Sequence, residues 1–359
     1  MVLQSLSLRN FRSYTKFRFD FNPRLTILVG PNASGKSNLV EAVSFMSTGK
    51  SFRTSKEKQV ITFEEMITRI TGEIVQDEAE GGGIPDVTKV EVVISDMPGQ
   101  LLRKQYLING VSKRRSSFSG NLPTVLFTPL DLSIVSGQPG DKRRYLDAVL
   151  EQTDQEYASS LLLYGKALRQ RNALLENVQK YQRRDEERFS YWDNLLITNG
   201  QIITEKRESF IAYINESKKK LFPFTLVYDK SLMSRERLLQ YKDAEVGAGM
   251  TLVGPQRDDV IIQSMHPVSK EFEDVKYFCS RGQQRLVALE LKNSHIYYLR
   301  EQLQVQPLLV LDDIFSELDS EHIGHIMSLV NNFQTIITTT HKEFVKDIAR
   351  DAAVIELDK

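Results

Sequence analysis

Gly30-Pro31-Asn32-Ala33-Ser34-Gly35-Lys36-Ser37 fits the pattern G-x-x-x-x-G-K-[S/T] at every position. Glycines let such a loop wrap closely, so that successive backbone N–H groups point inward at phosphate oxygens. A helix that follows adds its positive N-terminal end. Lys36 is expected to reach the β- and γ-phosphates of ATP, and the Ser37 hydroxyl to ligate Mg²⁺. The flanks agree. Leu25-Thr26-Ile27-Leu28-Val29 is a short apolar run that suits a strand buried on both faces. Asn38 to Met46 puts Leu39, Val40, Val43 and Met46 on one helical face. Strand, glycine loop and helix in that order predict an α/β fold built around a phosphate-binding loop.

Near the other end, Leu308-Leu309-Val310-Leu311 runs into Asp312-Asp313. A buried strand here would deliver Asp312 to its carboxyl end, where α/β sheets place ligands. Asp312 is expected to hold Mg²⁺ and Asp313 to polarise the attacking water. Alone, the pattern also fits a strand ending at an acidic turn. Together with the loop it reads as a Walker B strand, expected to lie beside the strand that feeds Gly30, so that both share the ion. Thr335 to Thr340 is a third buried strand, followed by His341.

Ser280-Arg281-Gly282-Gln283-Gln284-Arg285 precedes a helical run from Leu286 to Asn293. Ser280 and Gln283 have the spacing of a capping box. The same residues resemble the signature motif of ABC-type ATPases, and Ser316-Glu317-Leu318-Asp319 resembles their D-loop. The resemblance narrows with Leu8-Arg9-Asn10-Phe11-Arg12-Ser13-Tyr14, which is similar to the opening of SMC-type and RecF-type ATPases. Ser51-Phe52-Arg53-Thr54-Ser55, Gly137-Gln138-Pro139 with Arg143-Arg144-Tyr145-Leu146-Asp147, and Gly254-Pro255-Gln256-Arg257-Asp258-Asp259 resemble the RecF type in particular.

That resemblance implies an ABC-type head with mixed sheets and helices, and a helical lobe inserted between the nucleotide motifs. It implies that Ser280, Gly282 and Gln283 contact the γ-phosphate held by a second subunit, and that His341 is a switch residue at the same phosphate. It also implies ATP-dependent homodimerisation, DNA binding, slow ATP hydrolysis, and work with RecR and RecO in loading RecA during bacterial gap repair. The sequence departs from the family pattern at Gln256, where His is usual, and at Leu130, where Glu is frequent. Asp313 stands where ABC ATPases usually have Glu, and no Q-loop glutamine can be assigned.

The remainder of the chain supplies the frame. Lys89 to Ser95 alternates Val90, Val92 and Ile94, and Asn109-Gly110 signals a tight hairpin. Between 141 and 249 glycine and β-branched residues thin out, with Asp141 to Gln179 and Arg184 to Leu221 as helix candidates. The expected division is therefore 1–140 and 250–359 as one ATPase head and 141–249 as the helical lobe. The 359 residues are 41% apolar and 26% charged, with 47 basic and 47 acidic side chains. Any anionic partner must then meet a local patch. Residues 101–144 provide one: Arg103, Lys104, Lys113, Arg114, Arg115, Lys142, Arg143 and Arg144 against Asp131 and Asp141. Lys113, Arg114, Arg115, Arg143 and Arg144 are the candidate DNA contacts, although a hairpin edge carries cations for solubility as well. Cys279 is the sole cysteine, which rules out an internal disulfide framework. With no leader-like N-terminus and no apolar run near ~18 residues, a cytoplasmic protein without a membrane partner is expected.

Overall fold

The computed structural model describes residues 1–54, 56–76, 86–314, 320–340 and 352–357. Ser316-Glu317-Leu318-Asp319, His341 and Ser55 lie outside the described residues. Along the chain run β1 (Val2–Phe11), β2 (Tyr14–Asp20), β3 (Leu25–Val29), α1 (Lys36–Thr48), β4 (Ile67–Val75), β5 (Val87–Ser95), β6 (Arg103–Ile108) and β7 (Val111–Lys113). Then come α2 (Arg115–Phe118), β8 (Thr124–Phe127), α3 (Leu132–Ser136), α4 (Pro139–Thr153), α5 (Gln155–Tyr181), α6 (Glu186–Glu216) and β9 (Thr225–Asp229). Next are α7 (Arg235–Gln240), α8 (Lys242–Ala248), β10 (Asp259–Met265), β11 (Phe272–Asp274), α9 (Val275–Phe278) and α10 (Arg281–Leu303). β12 (Leu308–Asp312), α11 (Ser320–Val330), β13 (Thr335–Thr339) and β14 (Ala353–Glu356) complete the order. The chain divides into two compact units, 1–129 with 295–359, and 130–294.

In the first unit, a five-stranded sheet has the order β14-β3-β13-β12-β8, with every pairing parallel. Every residue of β3, β12 and β13 is buried, as continuous apolar runs in a parallel sheet should be. The loop strand and the Walker B strand are not neighbours, contrary to expectation, because β13 pairs with both. Strands two places apart lie roughly 10 Å from each other. The gap is spanned because Ser37 sits on α1, past the loop, and so is carried over the end of β13.

A second sheet, β2-β1-β4-β5-β6-β7, is antiparallel throughout. Helix α1 packs against strands of both sheets. That explains why it is buried on nearly every side, including Leu39, Val40, Ala42, Val43, Phe45 and Met46. Side chains of this size contribute about 1.5–3 kcal/mol each when fully buried. Val90, Val92 and Ile94 of β5 face the same core, each at 0% exposure. The hairpin turns at Asn109 (φ 49°) and Gly110 (φ 77°), both left-handed, which is what a two-residue turn matching strand twist requires.

The second unit is less purely helical than 141–249 suggested. Strand β9 lies inside that stretch and β10 outside it, and they pair antiparallel from Asp259↔Asp229 to Gln263↔Thr225. With β11 they form a three-stranded sheet, so 250–294 groups with the helices. The single helix expected over 141–179 is two: Asp154 ends α4 and caps α5, its carboxylate accepting the Tyr157 N–H at 2.9 Å. Helices α5 and α6 form an antiparallel hairpin. Its register shows in two pairs, Arg171 with Asp193 and Tyr157 with Arg207, which fold back about the same turn. At the centre of this unit Asp258, fully buried, accepts from Arg207 Nη1 at 3.0 Å, the Ser231 N–H at 2.8 Å and the Tyr228 hydroxyl. Arg207 also bonds Asp147 at 2.8 Å. Two of the motif segments noted in the sequence, 143–147 and 254–259, thus meet on one buried arginine.

Candidate functional site

The phosphate-binding loop takes left-handed backbone at Ala33 (φ 67°) and Gly35 (φ 100°). A Cβ on Gly35 would stand 2.6 Å from the Tyr14 hydroxyl, and one on Gly30 would stand 2.5 Å from the Leu357 carbonyl oxygen. Glycine is therefore required at both positions by contact, and at Gly35 by conformation as well. Lys36 Nζ donates to the carbonyls of Gly30 at 2.6 Å and Pro31 at 2.8 Å. Burial pulls the Lys36 pKa down from its ordinary value, while the charges of Asp313 and Asp312 oppose the shift. Ser34 Oγ is buried with no hydrogen-bond partner among the described residues. A partnerless hydroxyl and an ammonium folded onto its own loop are donors that suit a phosphate.

Opposite the loop, Asp312 ends β12 at 8% exposure. Its Oδ1 accepts the Thr338 hydroxyl at 2.6 Å and faces the Ser37 hydroxyl at 3.4 Å. Asp313 follows in left-handed backbone (φ 52°), a conformation that Asp tolerates better than most residues. Its N–H points at both the carbonyl and the hydroxyl of Thr338, each at 3.2 Å. Among the described residues no group of three or more His, Cys, Asp or Glu side chains could hold a metal unaided. One hydroxyl and one carboxylate fit Mg²⁺, which keeps several waters and takes phosphate oxygens as further ligands.

Behind the loop, Arg12 grips Glu41 of α1 with two parallel bonds, Nε–Oε2 at 2.8 Å and Nη2–Oε1 at 2.7 Å. Glu41 is 0% exposed and also takes the Ser51 hydroxyl at 2.5 Å. Arg53 bridges Asn38 Oδ1 at 2.9 Å, and Asn38 reaches the Ser13 hydroxyl at 3.0 Å. In the sequence, Arg12, Ser13, Ser51 and Arg53 stood out only by family resemblance. Arg12 and Ser13, from the β1–β2 turn, and Ser51 and Arg53, from the segment after α1, together clamp the first turns of that helix. The signal available was Glu41, a lone carboxylate on an otherwise apolar helix face.

The signature segment opens α10 in the second unit. Ser280 and Gln283 form the expected capping box: the Ser280 N–H donates to Gln283 Oε1 at 2.9 Å, and the Gln283 N–H faces Ser280 Oγ at 3.3 Å. Ser280, Arg281, Gly282 and Gln283 are all exposed. Gln284, by contrast, is buried and ties the carbonyls of Val275, Lys276 and Cys279.

The cations of the basic stretch differ in their surroundings. Lys113 and Arg114 are exposed on the first unit. Arg115 turns inward toward the Thr48 carbonyl at 3.4 Å, and Lys104 pairs with Glu57 at 2.6 Å. In the second unit, Lys142 pairs with Asp259 at 3.2 Å and Arg143 bonds the Asp258 carbonyl. Burial lowers the Arg143 pKa. Arg144 is exposed and paired with Asp141 within α4. Gln256, at the family's usual histidine, accepts from the Tyr164 hydroxyl and donates to the Val253 carbonyl at 2.8 Å. No helix among the described residues is long and apolar enough to cross a membrane.

The family model for the RecF/RecN/SMC N terminal domain matches residues 2–358. A DNA replication and repair protein RecF from Moorella thermoacetica is 35% identical over 352 residues, spanning 95% of this chain and 90% of that protein. The protein of the same description from Shouchella clausii is 33% identical over 383 residues, spanning 100% and 98%. Among solved structures, that of the recombination mediator protein RecF-ATPrS in the RecFOR pathway superposes with a TM-score of 0.84 at 29% identity. It covers 99% of this chain and 97% of that one. The corresponding RecF-ATP structure gives 0.82 at 28% identity, over 95% and 92%.

Proposed function

The chain belongs to the RecF family of RecF/RecN/SMC N-terminal domains, and from there we propose that it is a DNA replication and repair ATPase that closes as a dimer on DNA. The observation that carries this is a division of labour. Ser37 and Asp312 stand 3.4 Å apart beside the loop of the first unit. Ser280, Gly282 and Gln283 sit exposed at a preformed helix cap of the second. An exposed cap of this kind can serve a nucleotide held by another copy of the chain.

In this reading Mg-ATP, when bound, supplies the phosphoanhydride bond and the charge that the loop neutralises. Lys36 swings from its two loop carbonyls to the β- and γ-phosphates, and the N–H groups of residues 30–37 line the remainder. Ser37 and Asp312 hold Mg²⁺. Asp313 orients the attacking water from a side chain one methylene shorter than glutamate, which suits slow turnover. Ser280, Gly282 and Gln283 close on the γ-phosphate of the other copy, and His341 is proposed as the switch residue there. Binding energy that favours the closed dimer drives the change, and hydrolysis serves as the timer that reverses it. Lys113 and Arg114 are the preferred DNA phosphate contacts. RecR, RecO and RecA are the partners the family suggests.

The test is molecular mass by light scattering, with and without ATP and Mg²⁺. Wild-type protein should move toward dimer mass. Ser280→Arg should bind ATP normally and stay monomeric. An unchanged wild-type mass at micromolar protein, with ATP shown to be bound, would sink the proposal.

A further inference from the structure

Thr338 is 0% exposed, one residue from the end of a strand read from the sequence only as buried. Its hydroxyl does two things at once. It donates to Asp312 Oδ1 at 2.6 Å and lies 3.2 Å from the Asp313 N–H as acceptor. Strand β13 carries it there because the parallel register sets Thr338 opposite Asp312. This is the strand that separates the loop strand from the Walker B strand.

We propose that Thr338 is the positioning residue of the Walker B acids, setting the rotation of the Asp312 carboxylate through its hydroxyl and sharing with its own carbonyl the hold on the left-handed turn of Asp313. The argument is chemical. A hydroxyl offers one donor and two acceptor lone pairs, so it can give a proton to a carboxylate and take one from an amide together. Valine has the same shape and can do neither; serine can do both. Asp312 Oδ1 is engaged by Thr338 and faced by Ser37, and Oδ2 receives no hydrogen bond among the described residues. The rotation that Thr338 fixes therefore leaves one oxygen for the ion and its waters. The Asp313 N–H, at φ 52°, is shared between this hydroxyl and the Thr338 carbonyl, each at 3.2 Å, so the hydroxyl contributes to where the second carboxylate leaves the backbone. Outer partners of metal ligands act in this way, by orienting the ligand rather than by touching the ion.

The inference rests on the Mg-ATP reading above, and the experiment separates the two. Wild type, Thr338→Val and Thr338→Ser are compared in three measurements: binding of a fluorescent ATP analogue in EDTA, Mn²⁺ titration of the ATP-loaded protein followed by electron paramagnetic resonance, and steady-state hydrolysis. Thr338→Val should weaken Mn²⁺ binding by roughly 10- to 100-fold and lower kcat by a similar factor. Its metal-free nucleotide affinity should stay near wild type. Thr338→Ser should recover both losses. Mn²⁺ affinity unchanged in Thr338→Val, or Thr338→Ser as poor as Thr338→Val, overturns the positioning role. If Thr338→Val does not fold, Thr338→Ala takes its place with the same expectations. If wild type itself shows no Mn²⁺ bound with ATP, the Mg-ATP reading fails and this inference falls with it.

Discussion

Two buried aspartates, one in each unit, are treated in opposite ways. Asp258 is closed. Arg207 supplies a full positive charge at 3.0 Å, and Tyr228 and a backbone N–H take up the remaining valences. Asp312 is open. Two hydroxyls approach one of its oxygens, and Lys36, though near enough to feel the charge, spends its hydrogen bonds on Gly30 and Pro31. Burying a charge is costly unless it is paired and hydrogen-bonded. The fold completes one buried carboxylate with arginine and gives the other hydroxyls, which on the Mg-ATP reading proposed above leaves room for a cation from outside.

The comparison breaks most visibly at Arg207. Arg207→Met strips a buried charge pair of its cation and should cost about 3–5 kcal/mol in urea unfolding. A loss under about 1 kcal/mol would mean that Asp258 is not held as a closed pair. Asp312→Asn sharpens the other side. Asparagine still accepts from Thr338 and Ser37, so the nucleotide-free protein should keep its stability within about 1 kcal/mol while Mg²⁺-dependent hydrolysis is lost. Equal destabilisation by Asp312→Asn and Arg207→Met would erase the distinction. The smallest effect belongs to Tyr14, whose hydroxyl donates to the Gly35 carbonyl at 3.1 Å. Tyr14→Phe should cost about 1 kcal/mol and loosen ATP binding more than it lowers the melting temperature. Burial pushes the Tyr14 pKa up to about 12 from 10.0. The folded state thus holds this proton more tightly than the unfolded state, and stability rests on the neutral form. Wild type should lose ground relative to Tyr14→Phe as the pH rises from 10 toward 12, with no such change below 10. Urea curves at a series of alkaline pH values read this out.

Local patterns were legible in the sequence. Leu25–Val29, the glycine loop, the Asn109-Gly110 turn and the strand before Asp312 each declare themselves within a few residues. Strand order did not, because parallel strands are joined by long crossovers and nothing near Val310 says that β13 will separate it from Ile27. The Asp258 hub was equally hidden, since Arg207 lies 51 residues away and looks like any other helix cation. Counting charge overstated the basic stretch for the same reason. Lys142 and Arg143 spend their charge on Asp259 and the Asp258 carbonyl, and only the structure shows that. Thr338 went unread because a β-branched residue in a buried strand is fully explained by its strand.

Strand β14 pairs in parallel with β3, the Leu357 N–H closes on the Val29 carbonyl at 2.8 Å, and the Leu357 carbonyl crowds the space beside Gly30. The loop is translated early, yet one wall of it is laid down only when residue 357 has left the ribosome. A nascent chain, or a fragment released prematurely, carries the whole nucleotide-binding motif without the edge strand that braces it. On the Mg-ATP reading, a chain cut short before residue 353 should therefore hold nucleotide less well than the full-length chain.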